Sequence, residues 1–219
     1  MTFTYPSHTT KGCVPLSSDV SIMENNKLKV KDLVNIGIFS ALYMVISMIV
    51  MIPVGIAPIL WLIWPGIAGL FGGAFFTLLM TKVPKQGAAL ILAIITGLLY
   101  FATGECTWVI IVTFAVAGIL GEAARKVLGY KSFKGIALAG GFTAFGFIGS
   151  PLPMWLFQDA YMKSIEEMGM GVEYVEGLQS MISAGSFIGM LAVAFVGGLI
   201  GTLVGRLMLK KHFEKAGIV

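Results

Sequence analysis

The stretch MISAGSFIGMLAVAFVGGLIGTLVGRLML, residues 181–209, determines the class of this protein. It carries one ionisable side chain, Arg206, and exceeds the roughly 20 apolar residues that cross a bilayer core of about 30 Å. Small residues recur at a spacing of four, with Val193 as the interruption: Gly185, Gly189, Gly197, Gly201 and Gly205. Because lipid is as apolar as leucine, such rows mark faces where helix backbones pack closely. The stretch therefore predicts a transmembrane helix that is packed along most of its length.

Five further apolar segments precede this one. They are Leu33–Ile52, Ile59–Met80, Ala88–Ala102, Thr107–Ala124 and Gly135–Phe157. The chain is 57% hydrophobic and only 12% charged, with a mean hydropathy of +0.91, whereas a soluble domain has about 25% charged residues. We therefore predict an all-α polytopic membrane protein with six transmembrane helices over 31–212. A disordered cytoplasmic tail is expected over 1–30, in which 1–22 form an upstream extension, and a cytoplasmic C-terminal tail over 213–219.

Most basic residues lie before the first apolar segment, after the second and the fourth, and at the end of the sixth. They are Lys27, Lys29, Lys31, Lys82, Lys85, Arg125, Lys126, Lys131, Lys134, Arg206, Lys210, Lys211 and Lys215. Threading six helices in order brings all of them to one side, which the positive-inside rule assigns to the cytoplasm together with both termini. Membrane topology thus explains the formal charge of +4, and nucleic-acid binding is not needed to explain it.

An acidic segment separates the last two apolar segments. Its carboxylates are Asp159, Glu166, Glu167, Glu173 and Glu176, against the single cation Lys163. Pro151 and Pro153 are expected to end the fifth helix, because proline removes backbone donors. We expect a short surface helix over 159–168, then glycine hinges within GMGVEYVEG, residues 169–177. This external loop is either a lid with Tyr161 and Tyr174 facing inward, or a polar connection kept soluble by its charge.

The cysteines and histidines argue against catalysis and against a metal site. Cys13 and Cys106 fall on opposite faces of the predicted membrane and form no CxxC motif. His8 and His212 lie in the tails, so no histidine is available at depth for zinc or Ser-His chemistry. We expect no enzyme activity, cofactor or resident metal. A group of methionines either binds a soft metal or haem iron, or fills irregular gaps: Met154, Met162, Met168 and Met170.

The first apolar segment carries a notch of small residues near its cytoplasmic end. In DLVNIGIFSALYMVISMIV, residues 32–50, Gly37 and Ala41 are one turn apart with Ser40 beside them. Such a notch seats either a neighbouring helix of the same chain or a helix of a partner protein.

The predicted outer ends concentrate aromatic side chains. All four tryptophans fall there: Trp61, Trp64, Trp108 and Trp155. They form either an interfacial belt or the walls of a pocket for a flat ligand. Glu105, in the tight turn of YFATGECTW, residues 100–108, either binds ligand NH groups or a cation beside Tyr100, or is a solvated turn residue.

The lead-in KLKVKDLVNIGIFSALYMVISMIVM, residues 27–51, followed by six apolar segments with an outer loop before the last, resembles the S components of energy-coupling factor (ECF) transporters. The chain is similar in particular to the branch labelled MptD or Trep_Strep, over roughly residues 27–212. S components have no ATPase of their own. They capture vitamins or metal ions and dock on a transmembrane coupling protein that two cytoplasmic ATP-binding subunits drive.

The resemblance implies roles for particular residues. The small-residue motif of the first helix, alanine at both positions in most members, maps onto Gly37 and Ala41 and would face an EcfT-like coupling protein. Substrate would bind in the outer half, beneath the loop joining the first two helices, among the last three helices and their outer loops. The expected substrate is a vitamin-like, flat aromatic molecule captured at the plasma membrane of a bacterium, with a tetrapyrrole or metal complex as one form. An autonomous secondary carrier or channel is the alternative.

Overall fold

The computed structural model describes residues 27–104 and 106–215. The described helices are α1 (Val30–Val54), α2 (Pro58–Lys82), α3 (Ala88–Ala102), α4 (Val109–Leu128), α5 (Phe133–Thr143), α6 (Pro153–Leu156), α7 (Gln158–Glu167), α8 (Val172–Ser180) and α9 (Ala184–Lys215), with a 3₁₀ segment over Ala144–Gly149. Most of the predicted N-terminal tail lies outside the described residues. At the other end α9 continues three residues into the predicted C-terminal tail.

Each predicted apolar segment forms a helix, but the helices differ in length and polarity. Within the described part of the chain, three are long and apolar enough to cross a membrane: Val30–Val54, Pro58–Lys82 and Ala184–Lys210. The third segment gives only the 15 residues of α3, about 22 Å of helix. The fifth is shortened because α5 tightens into the 3₁₀ segment. The fourth, α4, carries Glu122, Arg125 and Lys126 in its last two turns.

The bundle has a basic end, where cationic residues from the end of α2, from the α4–α5 turn and from the last turns of α9 meet. One cavity there is lined by Lys82, Lys131 and Arg206 from three different parts of the chain. Lys85 lies at the same end, where its Nζ is 2.6 Å from the Asp32 carboxylate. The opposite end carries α7 and α8 and is called the acidic end below. This separation agrees with the predicted grouping of basic residues.

Helices α2 and α9 are held together by glycines on facing surfaces. A Cβ atom added to Gly197 would lie 2.1 Å from the Gly66 carbonyl oxygen, and one added to Gly201 would lie 2.4 Å from that of Gly69. Gly205 meets the backbone of Ala74 in the same way. The predicted glycine row therefore packs over its second part only. Gly185 and Gly189 lie at the acidic end, where an added Cβ would meet no packed helix.

Phe147, in the 3₁₀ segment, is the centre of a buried aromatic cluster. Its ring lies 5.2–6.1 Å from those of Tyr43, Trp64, Tyr100 and Phe114. Gly146 allows this approach, because a Cβ there would come within 2.2 Å of the Phe114 ring. Thr113 holds the segment by donating a 2.9 Å hydrogen bond to the Gly146 carbonyl. The fifth helix thus tightens at residue 144, before the two prolines that were expected to end it.

A buried arginine fixes the turn between α2 and α3. The Arg125 guanidinium is fully buried and donates long hydrogen bonds, both 3.4 Å, to the carbonyls of Val83 and Lys85. Glu122, 3.8 Å from Arg125, accepts hydrogen bonds from the backbone N–H groups of Gly87 and Ala89 at the start of α3. One turn of α4 therefore satisfies two carbonyls of the α2–α3 turn and two amides at the start of α3.

Candidate ligand-binding cavity

A cavity of about 510 Å³ opens at the acidic end of the bundle. Its walls come from the end of α1, from α2, from the α3–α4 turn, from the segment after the 3₁₀ turn, and from α7 and α8. The lining residues are Met51, Ile52, Gly55, Trp61, Gly104, Cys106, Thr107, Ser150, Pro153, Tyr161, Ser164, Ile165, Met168, Met170 and Tyr174. This volume is within the roughly 300–1,000 Å³ of small-molecule sites.

Trp61 and Tyr161 join the helical wall to the loop above it. The Trp61 Nε1–H donates a 2.9 Å hydrogen bond to the Tyr161 hydroxyl across 100 residues of sequence. Burial raises the pKa of the Tyr161 phenol well above its ordinary value, although the Trp61 hydrogen bond opposes the shift. Burial also raises the pKa of Tyr174. Both phenols are therefore neutral at physiological pH, and each retains its proton for donation to a ligand.

The remaining wall is mostly apolar, with a few hydroxyl and sulfur groups. Ser164 uses its hydroxyl to bond the Tyr161 carbonyl at 2.7 Å, and the Cys106 thiol lies 3.7 Å from the Ser150 hydroxyl. No described lining residue is charged. Such a wall favours an uncharged ligand with a large apolar surface and few hydrogen-bonding groups.

Glu105, the predicted ligand-binding carboxylate, lies outside the described residues. Its sequence neighbours Gly104 and Cys106 both line the cavity. Among the described residues, no group of three or more His, Cys, Asp or Glu side chains is arranged to hold a metal ion. The role of Glu105 stays a prediction from the sequence.

The loop over the cavity is a pair of amphipathic helices. On α7 the cavity-lining residues follow helical spacing: Tyr161, Ser164, Ile165 and Met168. All five carboxylates of the loop are exposed, as the sequence predicted. The expected surface helix is confirmed as α7, whereas the segment expected to be a hinge mostly forms α8, and only residues 168–171 connect the two helices.

The lid, defined as α7 and α8, is attached to the bundle by its own apolar cluster. Met162 and Val175 are almost fully buried, as is Leu178, and they pack with Leu62 of α2 and Met190 of α9. Two predicted soft-metal ligands, Met154 and Met162, belong to this cluster. The other two, Met168 and Met170, line the cavity. Since buried apolar side chains contribute about 1.5–3 kcal/mol each, the cluster holds the lid as part of the fold.

Gly169 ends α7 in a Schellman motif. Its φ of +82° places it in the left-handed region, and the N–H of Met170 bonds the Ile165 carbonyl at 3.3 Å. Met170 and Ile165 both line the cavity, so this turn positions part of its wall. Gly171, two residues later, has an ordinary φ of −64° as the N-cap of α8.

These two glycines give a matched test of the lid. Gly169→Ala should destabilise the α7–α8 turn by about 1 kcal/mol, because an L-residue is strained at this φ. Gly171→Ala should be close to neutral, because its φ of −64° suits alanine and the lower entropy of the unfolded chain offsets the weaker N-cap. An added Cβ meets no atom within 4 Å at either position, so the two variants differ in backbone strain and not in a clash. Hydrogen exchange of the lid amides measures the difference. Equal protection in the two variants would contradict the role of the turn.

The structure places two of the predicted wall residues in the core. Trp64 and Tyr100 are fully buried in the aromatic cluster around Phe147. The Tyr100 hydroxyl is 2.5 Å from that of Ser47. Trp64 stacks against Trp61 at 6.1 Å, so it supports the cavity wall from behind. Its position one turn deeper along α2 explains why it does not reach the cavity surface.

The other two tryptophans also lie off the cavity wall. Trp108 is 56% exposed and packs against Phe157 in a tilted arrangement, with ring centroids 6.3 Å apart. Trp155 donates its indole N–H to the Ser183 carbonyl at 3.2 Å and packs on Phe187. An exposed Trp108 and a half-buried Trp155 fit the interfacial belt, the other interpretation of the tryptophan pattern. Of the predicted aromatic wall, the cavity brings together Trp61, Tyr161 and Tyr174.

Several lining residues were not predicted individually. Met51 and Ile52 lie in the last turn of α1 and Gly55 follows it, where Pro53 and Gly55 are the available sequence signal. Ser150 and Ser164 carry no distinctive sequence pattern. Hydroxyl side chains of this kind line a cavity only because of how distant segments pack.

The small-residue notch of α1 opens to the outside of the bundle. A Cβ atom added to Gly37 would meet nothing within 4 Å, and Ala41 is exposed. Ser40, in contrast, is buried, and its hydroxyl donates to the Ile36 carbonyl at 2.8 Å with the Leu92 carbonyl 3.5 Å away. Among the described residues, no helix of this chain fills the Gly37/Ala41 notch, and Ser40 belongs to the inner face.

Comparison with known proteins gives a family and no nearer relative. Residues 30–215 match the family described as "Hypothetical bacterial integral membrane protein (Trep_Strep)". No curated protein and no solved structure shows significant similarity to the chain. The matched range runs from the first residue of α1 to the last residue of α9. The chain therefore belongs to the Trep_Strep family of bacterial integral membrane proteins.

Proposed function

We propose that this protein is the membrane-embedded substrate-capture subunit of an ATP-driven ECF-type importer. It binds a vitamin-like small molecule from outside in the cavity beneath the lid. It then delivers that molecule with an EcfT-like coupling protein and two cytoplasmic ATP-binding subunits. The protein acts by binding and conformational change and has no enzyme activity of its own.

The single observation that carries this proposal is the cavity of about 510 Å³ under a helical lid. A site of this size at the acidic end, roofed by Tyr161 and Tyr174, suits capture from the external side. The ligand we propose is flat, largely apolar and uncharged where it contacts the described wall, because Trp61 and three methionines offer ring and thioether surfaces.

The hydroxyl groups at depth give little support to an autonomous carrier or channel. Such a protein needs polar groups along a continuous path, and five threonines of the described helices are buried or half-buried. They are Thr77, Thr96, Thr113, Thr143 and Thr202, and each donates its hydroxyl to a backbone carbonyl of its own or a neighbouring segment. Hydroxyls occupied in this way do not provide a polar path.

The proposal includes six transmembrane crossings with both termini in the cytoplasm. Single cysteines at Lys163 in the lid and Lys131 at the basic end test this, after Cys13 and Cys106 are changed to serine. Both lysines are exposed. A membrane-impermeant maleimide added to intact cells should label position 163 at once and position 131 only after permeabilisation. Labelling of both from one side would contradict the topology.

The Gly37/Ala41 notch is the proposed docking surface for the coupling protein. Ala41→Leu should reduce ATP-dependent uptake by at least ten-fold, because a larger side chain blocks close helix approach. Ligand binding by the purified chain should stay within two-fold of wild type, since Ala41 is exposed and far along α1 from Met51 and Gly55. Ala192→Leu, the same change at an exposed alanine of α9, is the control. Unaltered uptake in Ala41→Leu would refute the docking role.

A further inference from the structure

A second cavity, of about 530 Å³, lies at the basic end between α2, α5 and α9. Its lining combines cationic and apolar side chains. The lining residues are Leu78, Thr81, Lys82, Lys131, Phe133, Ile136, Arg206, Leu209 and Lys210. Four of these carry a positive charge, and no described lining residue is acidic. The ligand-capture proposal above makes no use of this cavity.

The carboxylates described at this end are engaged elsewhere. Asp32 pairs with Lys85, and Glu122 accepts the Gly87 and Ala89 amides beside Arg125. The charges of Lys82, Lys131 and Arg206 are therefore not neutralised by those two carboxylates, whose cationic neighbours are Lys85 and Arg125.

Two of the cations are positioned by aromatic rings. The Arg206 guanidinium lies 4.2 Å from the centroid of the Phe133 ring, and the Lys82 ammonium lies 5.4 Å from that of Phe39. A guanidinium stacked on a ring keeps its N–H edge available, and that edge matches the geometry of a phosphate. Because α5 begins at Phe133, its N-terminus lies beside the contact between Arg206 and Phe133. Its cap residue Ser132 contributes no side-chain hydrogen bond.

The position of the cavity decides which anion it suits. It lies at the end of two membrane-length helices, next to exposed apolar side chains of α9 such as Leu207, which is 67% exposed. Three of its lining residues, Leu78, Ile136 and Leu209, are apolar. A site that combines cations with apolar surface matches a phosphate that is joined to a glycerol and acyl chains. Basic pockets between membrane helices are known to bind such headgroups.

We propose that this cavity binds the headgroup of an anionic phospholipid. The phosphate contacts Arg206, Lys131 and Lys82, and the glycerol region lies against the apolar residues of the lining. The bound lipid joins α2, α5 and α9 at the basic end, where the glycine-mediated contact between α2 and α9 ends near Gly205.

Native mass spectrometry of the full chain in detergent tests this site. Phosphatidylglycerol and phosphatidylcholine are titrated separately onto delipidated protein. Wild type should retain one phosphatidylglycerol with at least ten-fold preference over phosphatidylcholine. Arg206→Gln and Lys131→Gln should each weaken retention about five-fold, from roughly 1 kcal/mol per basic residue near a membrane surface. Lys126→Gln removes an exposed basic-end charge that does not line the cavity and should leave retention unchanged.

The other outcomes of this experiment overturn the proposal. Equal retention of the two lipids would exclude a headgroup site. An equal loss in Lys126→Gln would show diffuse surface attraction. Displacement of phosphatidylglycerol by an equimolar amount of inorganic phosphate would indicate a site for a free phosphate group. Size-exclusion profiles of the variants identify any that fail to fold, and Arg206→Lys, which keeps the charge, should then retain most of the binding.

Discussion

Replacing Gly201 by alanine is expected to separate α2 from α9 and to destabilise the bundle by about 1–3 kcal/mol. The added methyl would lie 2.4 Å from the Gly69 carbonyl oxygen and 2.5 Å from that of Leu70. Both contacts are backbone atoms, so no side-chain rotation relieves them. Alanine is a better helix former than glycine by up to about 1 kcal/mol, which offsets part of the cost.

Gly189→Ala is the matched control for this change. It lies on the same helix, and an added Cβ there would meet nothing within 4 Å. The gain in helix propensity is common to both variants, so their difference isolates the clash. Unfolding in mixed micelles with increasing SDS, followed by circular dichroism, measures it. If the two variants unfold together, the close packing of α2 on α9 is wrong.

Arg125→Met is expected to have the largest effect of any single change, about 3–5 kcal/mol of destabilisation. The guanidinium is fully buried, and its removal leaves the Val83 and Lys85 carbonyls without their donors. Glu122 then keeps a partly buried charge without its cationic neighbour. Loss of this arginine should loosen the α2–α3 turn first, because the same turn of α4 holds both of its ends.

The neighbouring Lys126→Met provides the control for Arg125→Met. It removes one positive charge from the same turn of α4. Because Lys126 is exposed, the stability of the protein should change by no more than about 0.5 kcal/mol. The same SDS unfolding experiment compares them. A similar loss of stability in both would mean that net charge, rather than the buried contacts, stabilises this end.

The helices and their polarity could be predicted from sequence because composition alone determines them. Residues 181–209 are too apolar for an environment other than a membrane. The spacing of the basic residues along the chain predicted that most of them lie at one end of the bundle. The pairing of α2 with α9 was harder to predict from the sequence. A glycine row shows which face of α9 packs, but the partner and the extent of contact depend on where Gly66 and Gly69 lie in three dimensions.

The candidate site could be predicted in location but only partly in composition. Trp61 and Tyr161 line the cavity as expected, because both lie at the acidic end of the bundle. Trp64 and Tyr100 do not, since a shift of one helical turn moves a side chain from the cavity into the aromatic core. Ser150 and Ser164 had no recognisable pattern. The 3₁₀ segment that precedes Ser150 packs against Phe114, a contact that spacing along the chain does not reveal.

We propose that a small molecule occupies the cavity at the acidic end of a subunit that works with a coupling module. Native mass spectrometry of the tagged full chain, extracted gently from its host membrane, tests it directly. We expect a complex with one further membrane protein and two ATP-binding subunits. The complex should carry one small molecule. The Ser164→Trp variant, whose indole fills the cavity, should not retain it. The chain alone without any bound small molecule, or equal retention by wild type and Ser164→Trp, would contradict the account.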